Sequence, residues 1–177
     1  MVVKSQRNGF TLIELILVIV IIGVLAVIAA PRFIDLSGDA NAAVMKNMEG
    51  NLETSLNLIL AKKAIQRASS TVDYGGDTIV LQSGFPQPDA SQLRYWLNTS
   101  LPSTTFTADR YTVPCDLSDF CVVGNRPASE APVIPGLNSG TKLYIWPKGY
   151  VLDACFAYYG NPDDGSLPVI GAITTGC

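Results

Sequence analysis

Glu14 stands four residues inside a stretch with few other polar side chains. From Phe10 to Ala30 the chain reads FTLIELILVIVIIGVLAVIAA, where only Thr11, Glu14 and Gly23 are not apolar. An acid in such a setting costs about 2.5 kcal/mol or more on membrane-insertion scales, and usually marks function. The chemistry open to it is pairing with a cation or accepting strong hydrogen bonds. Four cysteines, Cys115, Cys121, Cys155 and Cys177, form the other reactive set. None are spaced C-x-x-C, so zinc and thiol exchange are weak readings. Histidine is absent. That excludes a Ser-His-Asp triad, a Cys-His dyad and every His-ligated zinc site. There is no phosphate-cradling glycine loop and no nucleophile elbow. No catalytic residue, no cofactor and no enzyme activity are expected. Asp116, Asp119, Asp153, Asp163 and Asp164 supply oxygens of the kind calcium prefers. Asn161–Gly165 lacks the alternating acids and distant glutamate of an EF-hand, so a solvated turn is expected there rather than a metal site.

These groups depend on the elements that carry them. As a helix, the 21 residues from Phe10 to Ala30 reach about 32 Å, close to the hydrocarbon thickness of a bilayer. The helix would be apolar all round, as a membrane span is. Lys4 and Arg7 precede it with no acid among residues 1–9, which places that end in the cytoplasm. An ordinary secretory signal would have a shorter apolar core, and Ala29-Ala30-Pro31 is a poor cleavage site. Beyond Pro31 the pattern becomes amphipathic. Phe33, Leu36, Ala40, Val44, Met48, Leu52, Leu56 and Ile59 recur every three or four residues and predict one core-facing stripe. Asp39, Lys46, Asn47, Glu53, Lys62 and Lys63 lie opposite, and the pattern fades at Ala68-Ser69-Ser70. Proline inside a helix removes a hydrogen bond and kinks it, and glycine weakens it, so Pro31 and Gly23 are candidate points of helix flexibility. Gly38 and Gly50 are further weak points.

From about residue 72 the chain is rich in Gly, Pro and Asn, with short apolar runs that read as strands. Candidates are Thr78–Ser83, Arg110–Val113 and Phe120–Val123, with a short helix at Ser91–Leu97. A hairpin is expected from Lys142–Trp146 and Tyr150–Tyr159 around Pro147-Lys148-Gly149. On its second strand Tyr150, Leu152, Ala154, Phe156 and Tyr158 form an apolar face expected to pack on the helix. Leu167–Ile173 would complete an antiparallel meander. Asn98-Thr99-Ser100 matches a glycosylation sequon, a short and unspecific motif.

Gly9-Phe10-Thr11-Leu12-Ile13-Glu14 resembles the processing motif of type IV pilins and their pseudopilin relatives: a short basic leader ending in glycine, phenylalanine, three residues and a glutamate. The resemblance covers about residues 1–60. It implies an α+β pilin fold, with a long N-terminal helix packed on an antiparallel sheet. It implies cleavage between Gly9 and Phe10 by a prepilin peptidase and N-methylation of Phe10. Glu14 would be the assembly carboxylate, paired with a neighbour's Phe10 amine. The expected organisation is a cleaved leader at 1–9, a transmembrane assembly helix at 10–30, its amphipathic continuation at 31–70 and a β-rich head at 71–177. The precursor would wait in the inner membrane with its head in the periplasm, then enter an extracellular helical filament through inner-membrane assembly machinery. An exported head favours disulfides. Three pairings are possible. Local closure favours Cys115 with Cys121 and Cys155 with Cys177. In pilins a C-terminal bridge outlines an exposed loop, which makes Asp163 and Asp164 candidate contacts with an unnamed ligand.

Composition narrows the class. The chain has 177 residues, a net charge of −3 and 48% hydrophobic residues. Residues 31–177 hold ten basic and fourteen acidic side chains, a balance of −4 that disfavours a DNA-binding competence pilin. Four cysteines and the length argue against a pseudopilin of type II secretion. A structural filament subunit used in attachment fits best, and Pro31-Arg32-Phe33 with the later helix looks similar to mannose-sensitive-haemagglutinin-type pilins.

Overall fold

The structure, a computed structural model, describes residues 10–97, 111–116 and 118–177, without the side chains of 29–35. It divides into two compact units, Met1–Gly38 and Asp39–Cys177. The expected leader, residues 1–9, and the sequon at 98–100 lie outside the described residues.

Helix α1 runs Leu12–Gln66 and supplies all of the described first unit except Phe10 and Thr11. Its end is set by chemistry rather than by the fading pattern. Arg67 adopts a left-handed φ of 52°. Ala68 N–H donates to Lys63 O at 3.0 Å and Arg67 N–H to Ala64 O at 3.4 Å, the two bonds of a Schellman cap. In the second unit α1 buries Met45, Met48, Leu52, Leu56 and Ile59. The expected stripe is therefore corrected at its start: Met45 is buried where Val44 was expected, and Val44, Ala40 and Leu36 are exposed. At about 100° per residue Met45 lies within about 20° of Leu52 and about 60° of Met48, so one stripe still results. Phe33 lies among the undescribed side chains.

After α1 come β1 (Thr71–Tyr74), β2 (Asp77–Gln82) and β3 (Phe85–Pro86), paired antiparallel in that order. Gln66 fixes the junction, donating to Asp73 O and accepting from Asp73 N–H. Helix α2 (Ala90–Leu97) follows, then β4 (Phe120–Pro127), β5 (Thr141–Pro147), β6 (Phe156–Asn161) and β7 (Val169–Ile173). The last four form an antiparallel sheet in chain order. Tyr111–Val113 is turn and bend rather than strand.

The hairpin expectation needs two corrections. First, β6 begins at Phe156, not Tyr150. Tyr150 O accepts from Cys115 N–H, and Cys115 O accepts from Gly149 N–H, so this stretch pairs with the Cys115 segment instead of β5. Second, the sheet turns its other face to the helix. Val122, Ile145, Ala157 and Ala172 align across the four strands, and all join the cluster built on Met45, Leu52 and Ile59. Phe156, Tyr158 and Leu152 instead join Tyr144, Trp146, Ile134 and Leu137 in a second cluster. Both faces are apolar because both are covered, so alternation alone could not rank them.

The cover on the second face is the loop between β4 and β5. The Lys142 ammonium, fully buried on β5, donates to Ala128 O and Pro132 O at 2.9 Å each and also to Glu130 O. Tyr144 hydroxyl donates to Pro132 O as well. Burial pushes the Lys142 ammonium below the ordinary lysine value. Among the described residues no carboxylate pairs with it; carbonyl oxygens accept from it instead.

Strand β4 bulges between Val123 and Arg126. A Cβ on Gly124 would lie 2.4 Å from Ala90 N and 2.6 Å from Pro88 O, both backbone atoms that cannot swing aside. Gly124→Ala should therefore destabilise the head by about 3 kcal/mol, the upper range for overpacking, read as an unchanged m-value with a lower urea midpoint.

Asp89 caps α2 beside that bulge. Its carboxylate accepts from Ser91 N–H at 2.7 Å and from Asn125 amide at 2.8 Å. Burial alone would raise its pKa, but the bonds from Ser91 and Asn125 outweigh burial and hold it below the usual carboxylate value. Because the folded pKa is depressed, this stabilisation is full above the unfolded value and lost as pH falls through the folded one. Urea melts should show head stability falling on acidification in that window. Asp89→Asn, which can still cap but cannot titrate, should show a shallower fall.

Candidate assembly site

The first unit has an unusual surface. Its large apolar side chains from Phe10 to Ile28 are each 43–79% exposed. Among the described residues nothing covers them. Such a contiguous surface marks a membrane or protein contact. Among the described residues, no helix is long and apolar enough to cross a membrane. The apolar run continues into residues 29 and 30, whose side chains are not described.

Glu14 sits in the first turn of α1, and its partner is Thr11. Thr11 N–H donates to Glu14 Oε2 at 2.9 Å and Thr11 hydroxyl donates to the same oxygen at 2.8 Å. Glu14 N–H donates in return to Thr11 Oγ1 at 3.4 Å. This is a reciprocal capping box, in which two otherwise orphan backbone donors find side-chain oxygens. The helix N-terminus also favours a negative charge. The spacing T-x-x-E before an apolar run is the sequence signature of this cap.

Of the sequence-predicted residues, Gly9 lies outside the described set. Phe10 is exposed next to Thr11, so the peptide nitrogen that cleavage would turn into an amine lies at the same helix end as Glu14. Gly23 is within α1 with no atom near the position of a Cβ. Pro31 also falls within the helix bounds, its side chain undescribed. The cysteines lie in the other unit. Cys115 is bonded to Cys121, and Cys155 to Cys177. Asp163 and Asp164 do not converge on a cation site: among the described residues no cluster of metal-ligating side chains exists. Asp163 Oδ1 accepts from Ser83 hydroxyl at 2.6 Å, and Asp164 Oδ1 accepts from Ser166 hydroxyl and N–H. Those bonds from Ser83 and from Ser166 hold both carboxyls below the usual range.

Residues 4–30 match the prokaryotic N-terminal methylation motif. The chain is similar in its N-terminal helix to type IV pilins and fimbrial proteins. It is 69% identical over 38 residues to the type IV narrow pilus major component PilA5 of Thermus thermophilus, covering 22% of the chain and 33% of that relative. It is 36% identical over 107 residues to the fimbrial protein EcpB of Eikenella corrodens, covering 57% and 65%. It is 38% identical over 63 residues to a type IV major fimbrial protein FimA of Dichelobacter nodosus, covering 34% and 39%. The chain thus spans less than two thirds of the length of each. No solved structure matches it. The architecture is α+β, a long N-terminal helix with antiparallel sheets, as the resemblance implied.

Proposed function

We propose that this chain is a structural subunit of a type IV pilus, used in attachment, and that it polymerises through its N-terminal helix. The observation that carries this reading is the exposed apolar surface of Phe10–Ile28 with Glu14 at its start, in the matched methylation motif. A prepilin peptidase cuts between Gly9 and Phe10, and the new amine is methylated. The precursor waits in the bacterial inner membrane, anchored by residues 10–30, and passes to the filament through the membrane assembly machinery. In the filament, a Phe10 ammonium of one copy neutralises Glu14 of another. Pairing relieves the cost that a lone carboxylate bears in lipid. Gly23 and Pro31 let the helix adjust on transfer. The subunit's work is assembly, not catalysis.

Deletion of the gene followed by electron microscopy of the cell surface tests the reading. Lost filaments, restored by the wild-type gene, support it. Intact filaments with lost protein secretion would instead assign the chain to a secretion system.

A further inference from the structure

Glu53 and Lys62 of α1 are both exposed and have no ion-pair partner among the described residues. Nine residues separate them, which is about 13.5 Å along the helix and half a turn around it. They therefore lie on opposite sides of α1, and each belongs to a different surface feature. Lys62 sits on a ridge with Leu58, 50% exposed, and Ile65, 78% exposed, at spacings of four and three residues. Glu53 rims a groove of about 450 Å³ between α1 and the start of edge strand β7, lined by Leu56, Asn57, Leu167 and Ile170. Leu167 on that rim is 76% exposed.

The charges along this part of α1 are polarised. Asp39–Glu53 holds three acids, Asp39, Glu49 and Glu53, and one base, Lys46, which is bonded to Glu49 at 2.9 Å. From Thr54 to Arg67 there are three bases, Lys62, Lys63 and Arg67, and no acid. Bases near a helix C-terminus also complement its dipole. That accounts for Lys63, which donates to Gly84 O at 2.6 Å, but leaves the Lys62 ammonium in solvent between two exposed apolar side chains.

We propose that the ridge Leu58–Lys62–Ile65 of one copy seats in the Glu53-rimmed groove of a second copy, with Lys62 meeting Glu53. The inference rests on the filament reading above and names one of its contacts. Ridge and groove complement each other in apolar character and charge: an apolar edge with a basic centre meets an apolar cleft with an acidic rim. Because they lie on opposite sides of α1, a single two-fold interface cannot use both. The contact is heterologous and does not close, so it propagates. Parallel copies using it are displaced axially by about 13.5 Å, the rise between the two residues.

Carbodiimide cross-linking of wild-type filaments, followed by peptide mapping, tests the contact. Within one copy the two residues point to opposite sides, so a Glu53–Lys62 amide can only join different copies. The expected result is a ladder of covalent multimers containing that linked peptide. Filaments that yield no such peptide, or only covalent dimers, overturn the contact and leave the filament reading standing. Absence of wild-type filaments overturns the reading itself. Charge reversal gives a second readout. Glu53→Lys or Lys62→Glu alone should lower filament yield roughly tenfold through like-charge contact. The double reversal should restore it. A double variant whose head resists protease like wild type, yet whose yield stays low, overturns the pairing.

Discussion

A Glu14→Ala chain is expected to reach the membrane and fold its head, yet to yield roughly a hundredfold fewer filaments. That factor follows from about 3 kcal/mol for removing one partner of a buried pair, which strands the other charge. Insertion itself should become easier, since the variant no longer places a carboxylate in the apolar run. The capping box adds a second, smaller consequence. Glu14 holds Thr11 N–H and Thr11 hydroxyl in the lone subunit, so the variant also loses part of its helix cap, of order 1 kcal/mol. Thr11→Ala separates the two effects. It removes the hydroxyl from the cap and leaves the carboxylate available to a neighbour, so its filament yield should fall much less. Membrane flotation reports insertion, and immunoblots of sheared filaments report assembly. Wild-type yield from Glu14→Ala would show that the carboxylate does not act in assembly.

The second large effect is on the head. Replacing Cys155 and Cys177 together by serine should cost about 3 kcal/mol, because that bridge closes a 22-residue separation. For a unit of this size the thermal midpoint should fall by about 10 °C. The loss concentrates at the chain end. Tyr150 hydroxyl donates to Cys177 O at 2.8 Å, and Asn41 amide on α1 donates to the Tyr150 oxygen at 3.2 Å. The bridge thus holds the C-terminus against the helix through Tyr150, next to edge strand β7. The Cys115–Cys121 bridge closes a shorter loop, and its removal should cost about 2 kcal/mol. Calorimetry with and without reductant checks both. Equal melting of the wild type and the Cys155→Ser, Cys177→Ser variant would contradict this account of the chain end.

Much of this was legible along the chain. A continuous apolar run and then a three-and-four spacing identify one long helix, and period-two stretches bounded by Gly and Pro identify β5, β6 and β7. Other features depend on packing that no local pattern encodes. The sheet face against α1 is set by Ala157 and Tyr159, not by Phe156 and Tyr158. Both faces read as apolar because a loop pinned by Lys142 covers the second. That lysine stands in an otherwise apolar strand, and no local pattern shows the three carbonyls that receive it. The bulge at Gly124 was invisible for a similar reason: its cause is the approach of Pro88 and Ala90 from another element. At the N-terminus the reverse holds. The Thr11–Glu14 box is local, with its full signal in four residues.

The central claim is that the chain enters a surface filament after cleavage at Gly9–Phe10. Intact mass analysis of subunits sheared from the cell surface tests it most directly. The account predicts a chain lacking residues 1–9, with Phe10 first and carrying one added methyl group, and with Cys115–Cys121 and Cys155–Cys177 oxidised. Sheared filaments composed of a chain that still begins at Met1, or filaments that contain none of this chain, would contradict it.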